Sequence, residues 1–382
     1  MKCAERLVLR NLKSITSQFS DPLQFAYRAK RSTEDAILFM LEKLYSHLEK
    51  SYCGNYARIM FFDFSSAFNT IQPVILGRKL SHMAVRSDFI AWITNYLTNR
   101  SQYVYIKQSN CHSSTLTSNT GAPQGTVLAP FLFTTYTADV RADNSKCILV
   151  KFADDTALVG LLTKDDVSAY LKQIQSFVNY CKDNYLELNV KKTQELIIDY
   201  RRIMPTHVPV KINDNEVQQT TKYKYLGLVM DDQLNWNLHF EFLCKKLNSR
   251  LFCLRKMSKF KVNAKVLQLF FNAVIASVWS YCLCAWGGNA ASKDIAKITG
   301  FIKQASRLIR EPQESFDESY RKLLCAKLTK IQKDETHPLH CIFSDATSDR
   351  SGRMLLPFAK TNRHKLSFVP QAMRQFNNDQ GR

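Results

Sequence analysis

The chain has 382 residues, 45% of them apolar and 12% aromatic. That length holds two or three compact units, and that composition excludes wholesale disorder. Lys and Arg number 53 against 33 Asp and Glu, a formal charge of +20, which favours encounter with polyanions: nucleic acid first, an anionic membrane surface second. The eleven cysteines stand singly, and Met1 to Ser20 reads as a basic helix followed by polar residues, not a signal peptide. Both point to a reducing, intracellular setting.

In chain order, Thr33 to Lys50 reads as a helix. Ala36, Ile37, Met40, Leu41, Leu44 and Leu48 share a face, and Ser32 can cap it. Arg58 to Phe64 is a short apolar run ending at an acid, a buried strand. A helix through Phe89 to Tyr96 precedes a strand at Gln102 to Lys107, where Tyr103, Val104, Tyr105 and Ile106 have high β-propensity. Gly121 to Gly125 is a loop. Ile148 to Ala153 and Ala157 to Leu162 form a hairpin around Asp154 and Asp155.

Asp165 to Asn184 is a helix with one stripe, Val167, Tyr170, Leu171, Ile174, Phe177, Val178 and Cys181. Strands follow at Glu195 to Tyr200 and Tyr223 to Met230. Helices dominate from His239 to Arg310, and regularity fades beyond Glu311. Interleaved strands and helices before a helical block make the fold class α+β. Val266 to Ser292 carries no charge and is long enough to cross a bilayer. Gln268, Asn272, Ser277 and Ser280 recur through it, so a buried helix is the better reading and no membrane is expected. His337, His340 and Cys341 have metal-like spacing but no convincing fourth ligand, so a loop is expected there.

Three acids stand among apolar residues. Asp63 follows Ile59, Met60, Phe61 and Phe62, and Asp154-Asp155 lies between two apolar strands. An ionised carboxylate in such surroundings costs several kcal/mol without a counter-charge. Neighbouring carboxylates also repel, so a site that collects them usually holds a divalent cation. Alone, the pair would be a solvated hairpin tip and Asp63 a strand-end cap. Together they are expected to converge on one sheet, with carboxylates within about 4–6 Å.

The run Phe61-Phe62-Asp63-Phe64-Ser65-Ser66-Ala67-Phe68 resembles the first catalytic motif of reverse transcriptases from non-LTR, LINE-type retrotransposons. Gly121-Ala122-Pro123-Gln124-Gly125 resembles their Pro-Gln-Gly motif, and Phe152-Ala153-Asp154-Asp155 their double-aspartate motif. Tyr225-Leu226-Gly227 resembles the primer-grip hairpin, and Gln24 to Ala36 a fingers segment. The finer placement is Rex or L2-like. Order and spacing agree over nearly the whole chain.

The resemblance implies a right-hand polymerase: fingers and palm over 1–235, a helical thumb over 236–311, and a basic irregular region over 312–382. It implies RNA-directed DNA synthesis from dNTPs on an RNA template with a DNA primer, through an RNA–DNA hybrid, with no specific protein partner indicated. Two Mg²⁺ ions, or Mn²⁺, would be held by Asp63, Asp154 and Asp155. Phe62, Phe64 and Phe68 would lie near the nucleotide, with Phe68 as the sugar gate. Gln124 and Gly125 would line its pocket, and Arg28, Lys30 and Arg31 would grip the triphosphate. Lys192 could protonate pyrophosphate, with Lys191 close enough to compete. Lys246, Arg250 and Lys256 would track the duplex. An active protein would work in a cytoplasmic ribonucleoprotein and the nucleus.

The family's endonuclease has no counterpart here, and Met1-Lys2-Cys3 falls inside the fingers, so a truncated copy is expected. A relic that binds nucleic acid without turnover is the alternative. A short stretch, Asp231 to about Ser277, is similar to the N-terminal segment of an AlkB-type repair dioxygenase. No His-x-Asp pair with a distal His offers the iron site, so it reads as a shared helical segment.

Overall fold

The computed structural model describes residues 2–49, 54–202, 206–348 and 350–380. Helices α1 (Lys2–Thr16) and α2 (Thr33–Leu48) precede strand β1 (Asn55–Phe62), α3 (Pro73–His82) and α4 (Ser87–Leu97). Lys50, the expected end of the second helix, lies outside the described residues. Short strands β2 (Arg100–Gln102), β3 (Tyr105–Ile106), β4 (Cys111–His112) and β5 (Leu116–Ser118) then pair as a ribbon. Tyr103 to Ile106 are exposed on it, so the expected strand is real in outline and split in two.

Next come α5 (Ala129–Tyr136), β6 (Cys147–Phe152), β7 (Asp155–Thr163), α6 (Ser168–Asp183) and β8 (Gln194–Ile198). Strands β9 (Lys211–Ile212), β10 (Asn215–Glu216) and β11 (Gln218–Thr220) lead to the hairpin β12 (Lys222–Tyr225) and β13 (Leu228–Asp231). Helix α7 (Asn237–Lys259) follows, then α8 (Ala264–Phe270), a π-helical turn, α9 (Ser277–Trp279) and α10 (Leu283–Trp286). The chain continues through α11 (Ser292–Ile309), α12 (Phe316–Gln332), α13 (His340–Ser344), α14 (Asn362–Lys365) and α15 (Phe368–Gln380).

The central sheet runs β11-β8-β1-β7-β6, antiparallel except where β11 meets β8. Successive side chains on a strand point to opposite faces. Ala57, Ile59 and Phe61 enter one core with α2, while Tyr56, Met60 and Phe62 enter another with α3, α5 and α6. Coverage of both faces is why Ile59 to Phe62 reads as an unbroken apolar run. Arg58 and Glu195 form a buried pair at 2.6 Å, and the Tyr170 hydroxyl donates to Glu195 at 3.0 Å. In α6 the expected stripe holds except at Leu171, which is exposed. Gln173 is buried, accepting from the Asp143 N–H at 2.7 Å.

Regularity does not fade at Glu311. A capping box of Ser315 and Glu318 opens α12, and the helices beyond it join the same core as α2, the sheet and α7. Lys327 reaches Glu34 and Asp35 at 2.9 Å each, and His337 Nε2 lies 3.4 Å from Asp35. His337 is thus turned into the protein while Cys341 is exposed on α13. Ala264–Asn289 is long and apolar enough to cross a membrane, but it is not one straight helix. Cys282 takes a left-handed φ of 50° between α9 and α10, and Phe271, Ile275, Trp279 and Leu283 are buried in the core.

Candidate active site

Asp63 follows the last residue of β1, and Asp155 opens β7, its immediate neighbour. Phe62 pairs with Thr156, and Phe152 with Asp155 across the hairpin. The three acids therefore come to one end of one sheet. Partial burial pushes the Asp155 carboxyl up, helped by the charges of Asp154 and then Asp63. The Tyr223 phenol is pushed up by burial, Asp155 and Asp63, and Tyr27 by burial and Asp154. Four chain segments thus share one negative field.

One expectation is corrected. Asp154 and Asp155 are exposed and Asp63 is half-buried; the strands are dry, but they deliver their acids where the sheet ends. Among the described residues no group of three His, Cys, Asp or Glu side chains is gathered tightly enough to hold a metal. The donor set still fits: no side-chain hydrogen bond or ion pair engages these three carboxylates among the described residues, and hard oxygen donors suit Mg²⁺.

What the sequence concealed is how the acids are held. Asn189 donates its N–H to the Asp63 carbonyl at 2.8 Å, and the Asp63 N–H donates to Thr193 Oγ1 at 3.3 Å. The Thr193 hydroxyl in turn donates to the Asn189 carbonyl at 2.9 Å. Lys192 and Lys191 both stand exposed on this turn. On the other acid pair, the Gln24 carboxamide engages both backbone groups of Ala153. Beside it, the buried Lys151 ammonium meets Asp21 at 2.7 Å and the carbonyls of Thr137 and Val140 at 2.6 and 2.9 Å.

The Pro-Gln-Gly loop is sewn to the segment after Asp63. Gly121 donates to the Ile71 carbonyl at 2.7 Å and Ala122 to the Phe68 carbonyl at 2.8 Å. Gly121 has φ +75°, and a Cβ there would lie 2.6 Å from Asn69 Cα, so only glycine fits. Gln124 and Gly125 are exposed. Glu5, buried on α1, accepts from the Val127 and Leu128 N–H groups at 2.6 and 3.2 Å, steadying the entry to α5. Phe68 stacks on Phe133 with centroids 4.7 Å apart. Phe64 is half-buried, whereas Phe62 is buried against Phe177, so only its backbone faces the site.

Of the three cations expected to grip a triphosphate, Lys30 is exposed. Arg28 is half-buried and donates to the Asp21 carbonyl at 3.0 Å. Arg31 is corrected to a structural role: its buried guanidinium pairs with Asp334 and donates to Thr336 at 3.0 Å. Aspartate and threonine from the C-terminal region, invisible as partners in sequence, take it.

The β12–β13 hairpin abuts the acids, with Tyr223 stacked on Phe61 at 3.9 Å. Tyr225 is buried against the same ring, so only the Leu226-Gly227 turn is presented. The Tyr281 hydroxyl donates to the Leu226 carbonyl at 2.6 Å and meets Thr33 at 2.9 Å. On α7, Leu243, Leu247, Leu251 and Leu254 are buried as expected. Lys246 is exposed, 4.3 Å from the Phe242 ring centroid, and Lys224 approaches the same ring from the hairpin. Arg250 is spent on the Val274 carbonyl. Lys256 is six residues beyond Arg250, a third of a turn away from its face, beside exposed Phe252. The three residues expected to touch the duplex do not form one line.

Comparison with known proteins agrees with the motifs. A probable RNA-directed DNA polymerase from transposon BS of Drosophila melanogaster is 24% identical over 330 residues, 81% of this chain and 35% of the relative. The RNA-directed DNA polymerase from mobile element jockey of Drosophila funebris is 22% identical over 302 residues, 75% of this chain and 32% of its own length. The chain thus spans about a third of these relatives. A solved apo telomerase from Candida tropicalis aligns over 98% of this chain and 57% of its own at 12% identity and TM-score 0.45, too distant to carry an argument. The profile of the reverse transcriptase (RNA-dependent DNA polymerase) family matches residues 1–230, more than half of the chain, and the protein belongs to that family.

Proposed function

We propose that this chain is the polymerase portion of a non-LTR retrotransposon reverse transcriptase, extending a DNA primer on an RNA template from dNTPs. The observation that carries the reading is the meeting of Asp63 with the Asp154–Asp155 turn on adjacent strands, with no carboxylate of the three paired among the described residues. They would hold two divalent cations, Mg²⁺ or Mn²⁺, which when bound activate the primer 3′-hydroxyl and neutralise the triphosphate. Gln124 and Gly125 bound the incoming nucleotide, Phe68 lies beneath its sugar, and exposed Lys192 donates a proton to departing pyrophosphate. Lys30 and Arg28 remain the cations for the triphosphate once Arg31 is set aside. The Leu226-Gly227 turn supports the primer end, and Lys224 and Lys246 take backbone phosphates. The left-handed break at Cys282 supports keeping the uncharged stretch inside the fold, in an intracellular protein.

Primer extension by the purified chain on an RNA template tests this. Wild type should extend with Mg²⁺, and Asp154→Asn should lose extension while binding hybrid as before. Hybrid binding without extension in the wild type would instead support a relic.

A further inference from the structure

We propose that Gln24 is a positioning residue for the Asp154–Asp155 turn, its carboxamide serving as the next rung of the sheet where two backbones diverge. The proposal rests on reading that turn as the catalytic one.

Leu23 to Phe25 runs parallel along the outer edge of β6, the last strand of the central sheet. The Lys151 N–H donates to the Leu23 carbonyl at 2.9 Å, and the Phe25 N–H donates to the Lys151 carbonyl at 2.8 Å. Two residues later a backbone ladder is no longer feasible. Ala153 swings to φ 56° to begin the turn, a left-handed conformation that an alanine adopts only when its surroundings hold it there. Its N–H and C=O would be left without partners next to a buried edge.

Gln24 supplies both. Its Oε1 accepts from the Ala153 N–H at 3.0 Å, and its Nε2 donates to the Ala153 carbonyl at 3.3 Å. The same Oε1 also accepts from the Ala26 N–H at 3.0 Å, so the carboxamide is tied to its own backbone and acts as a fixed bracket. Gln24 is 5% exposed, so solvent has little access to these bonds. A carboxamide is the side-chain group that can donate and accept in one plane as a peptide does. Asparagine, one methylene shorter, would stop short of Ala153.

Ala153 directly precedes Asp154, so its backbone torsions aim both following carboxylates. An apolar residue in place of Gln24 would release the turn toward ordinary torsions and swing those carboxylates. The surrounding segment would stay docked, because Asp21 holds Lys151 independently at 2.7 Å and the two backbone rungs at Leu23 and Phe25 remain. That separation makes the role testable apart from folding.

The test compares wild type, Gln24→Met and Gln24→Glu in the full chain. Amide hydrogen exchange is followed at Ala153, Mn²⁺ binding is measured by electron paramagnetic resonance without substrate, and extension is split into kcat and KM for dNTP. Gln24→Met should speed exchange at Ala153 by about tenfold or more, the factor equivalent to about 1.4 kcal/mol. It should weaken Mn²⁺ binding several-fold and lower kcat, with KM for dNTP little changed. Gln24→Glu keeps the two acceptor bonds and forgoes the donor, so its exchange rate should fall between the other two. Unchanged exchange at Ala153 in Gln24→Met overturns the proposal. So does a loss of thermal stability with Mn²⁺ affinity and kcat unmoved, the signature of plain core packing. Should the wild type fail to extend a primer, the polymerase reading fails, while Ala153 exchange still judges the bracket.

Discussion

Replacing Lys327 by methionine should loosen the grip of the C-terminal helices on the N-terminal half. The ammonium lies 2.9 Å from Asp35 Oδ1 and 2.9 Å from Glu34 Oε2, with side chains 11%, 5% and 18% exposed respectively. Removing one member of a buried pair leaves a charge uncompensated, at about 3–5 kcal/mol. Here two carboxylates would be left facing each other. Burial alone would push the Asp35 carboxyl up. His337, the charge of Lys327 and the Ser32 and Lys327 hydrogen bonds outweigh it, so its pKa lies well below the usual carboxylate range. A depressed folded pKa contributes stability above the unfolded value, near 4, that drains away as pH falls toward the folded one.

Urea unfolding can be followed by the fluorescence of Trp279 and Trp286, which share a core with α2. Combining Lys327→Met with Asp35→Asn closes a double-mutant cycle, and at pH 7 a coupling of about 1–3 kcal/mol is expected. The coupling should shrink below about pH 4. A coupling under about 0.5 kcal/mol at pH 7 would show that the C-terminal region does not dock on this acidic helix start.

Two further outcomes follow from the site. Changing Lys224 and Lys246 together to Gln should flatten the salt dependence of hybrid binding by about 0.7–0.9 log units for each phosphate no longer neutralised. Arg250→Met, whose guanidinium is spent on Val274, should leave that slope alone, and an unchanged slope in the double variant would place the hairpin flank away from the nucleic acid. Phe68→Ala should raise ribonucleotide use relative to deoxynucleotide use, read as the ratio of kcat/KM values; a fixed ratio would confine Phe68 to packing on Phe133.

The three aspartates were legible because each interrupts an apolar run, a signal that survives without any knowledge of tertiary neighbours. The leucine stripe of α7 was legible for the same reason. Gln24, Asn189 and Thr193 were not: their importance lies in reaching the backbone of a residue about 130 positions away, which no local pattern encodes. Arg31 was misassigned because the resemblance implied a triphosphate contact, and its actual partner, Asp334, lies some three hundred positions away with no local sign in the sequence. The helices after Glu311 were missed despite a readable signal, Ser315 followed three positions on by Glu318. The apolar spacing of Leu324, Leu328 and Ile331 carried the same signal.

Helix α2 is buried on both sides: Ile37, Leu44 and their neighbours share a core with the sheet, while Tyr45 stacks on His364 of α14. The second side therefore waits for residues far downstream in the chain. At translation rates of about 5–20 residues per second, the interval from Leu48 to His364 is roughly 15–60 s. Until then Leu38, Leu41 and Tyr45 have no cover from Phe368, and a nascent chain carries an apolar helix with half its lining missing. A ribosome that stops near Arg310 would release the whole acid-bearing sheet in that sticky form, so quality control has a reason to discard chains whose site is already spelled out in full.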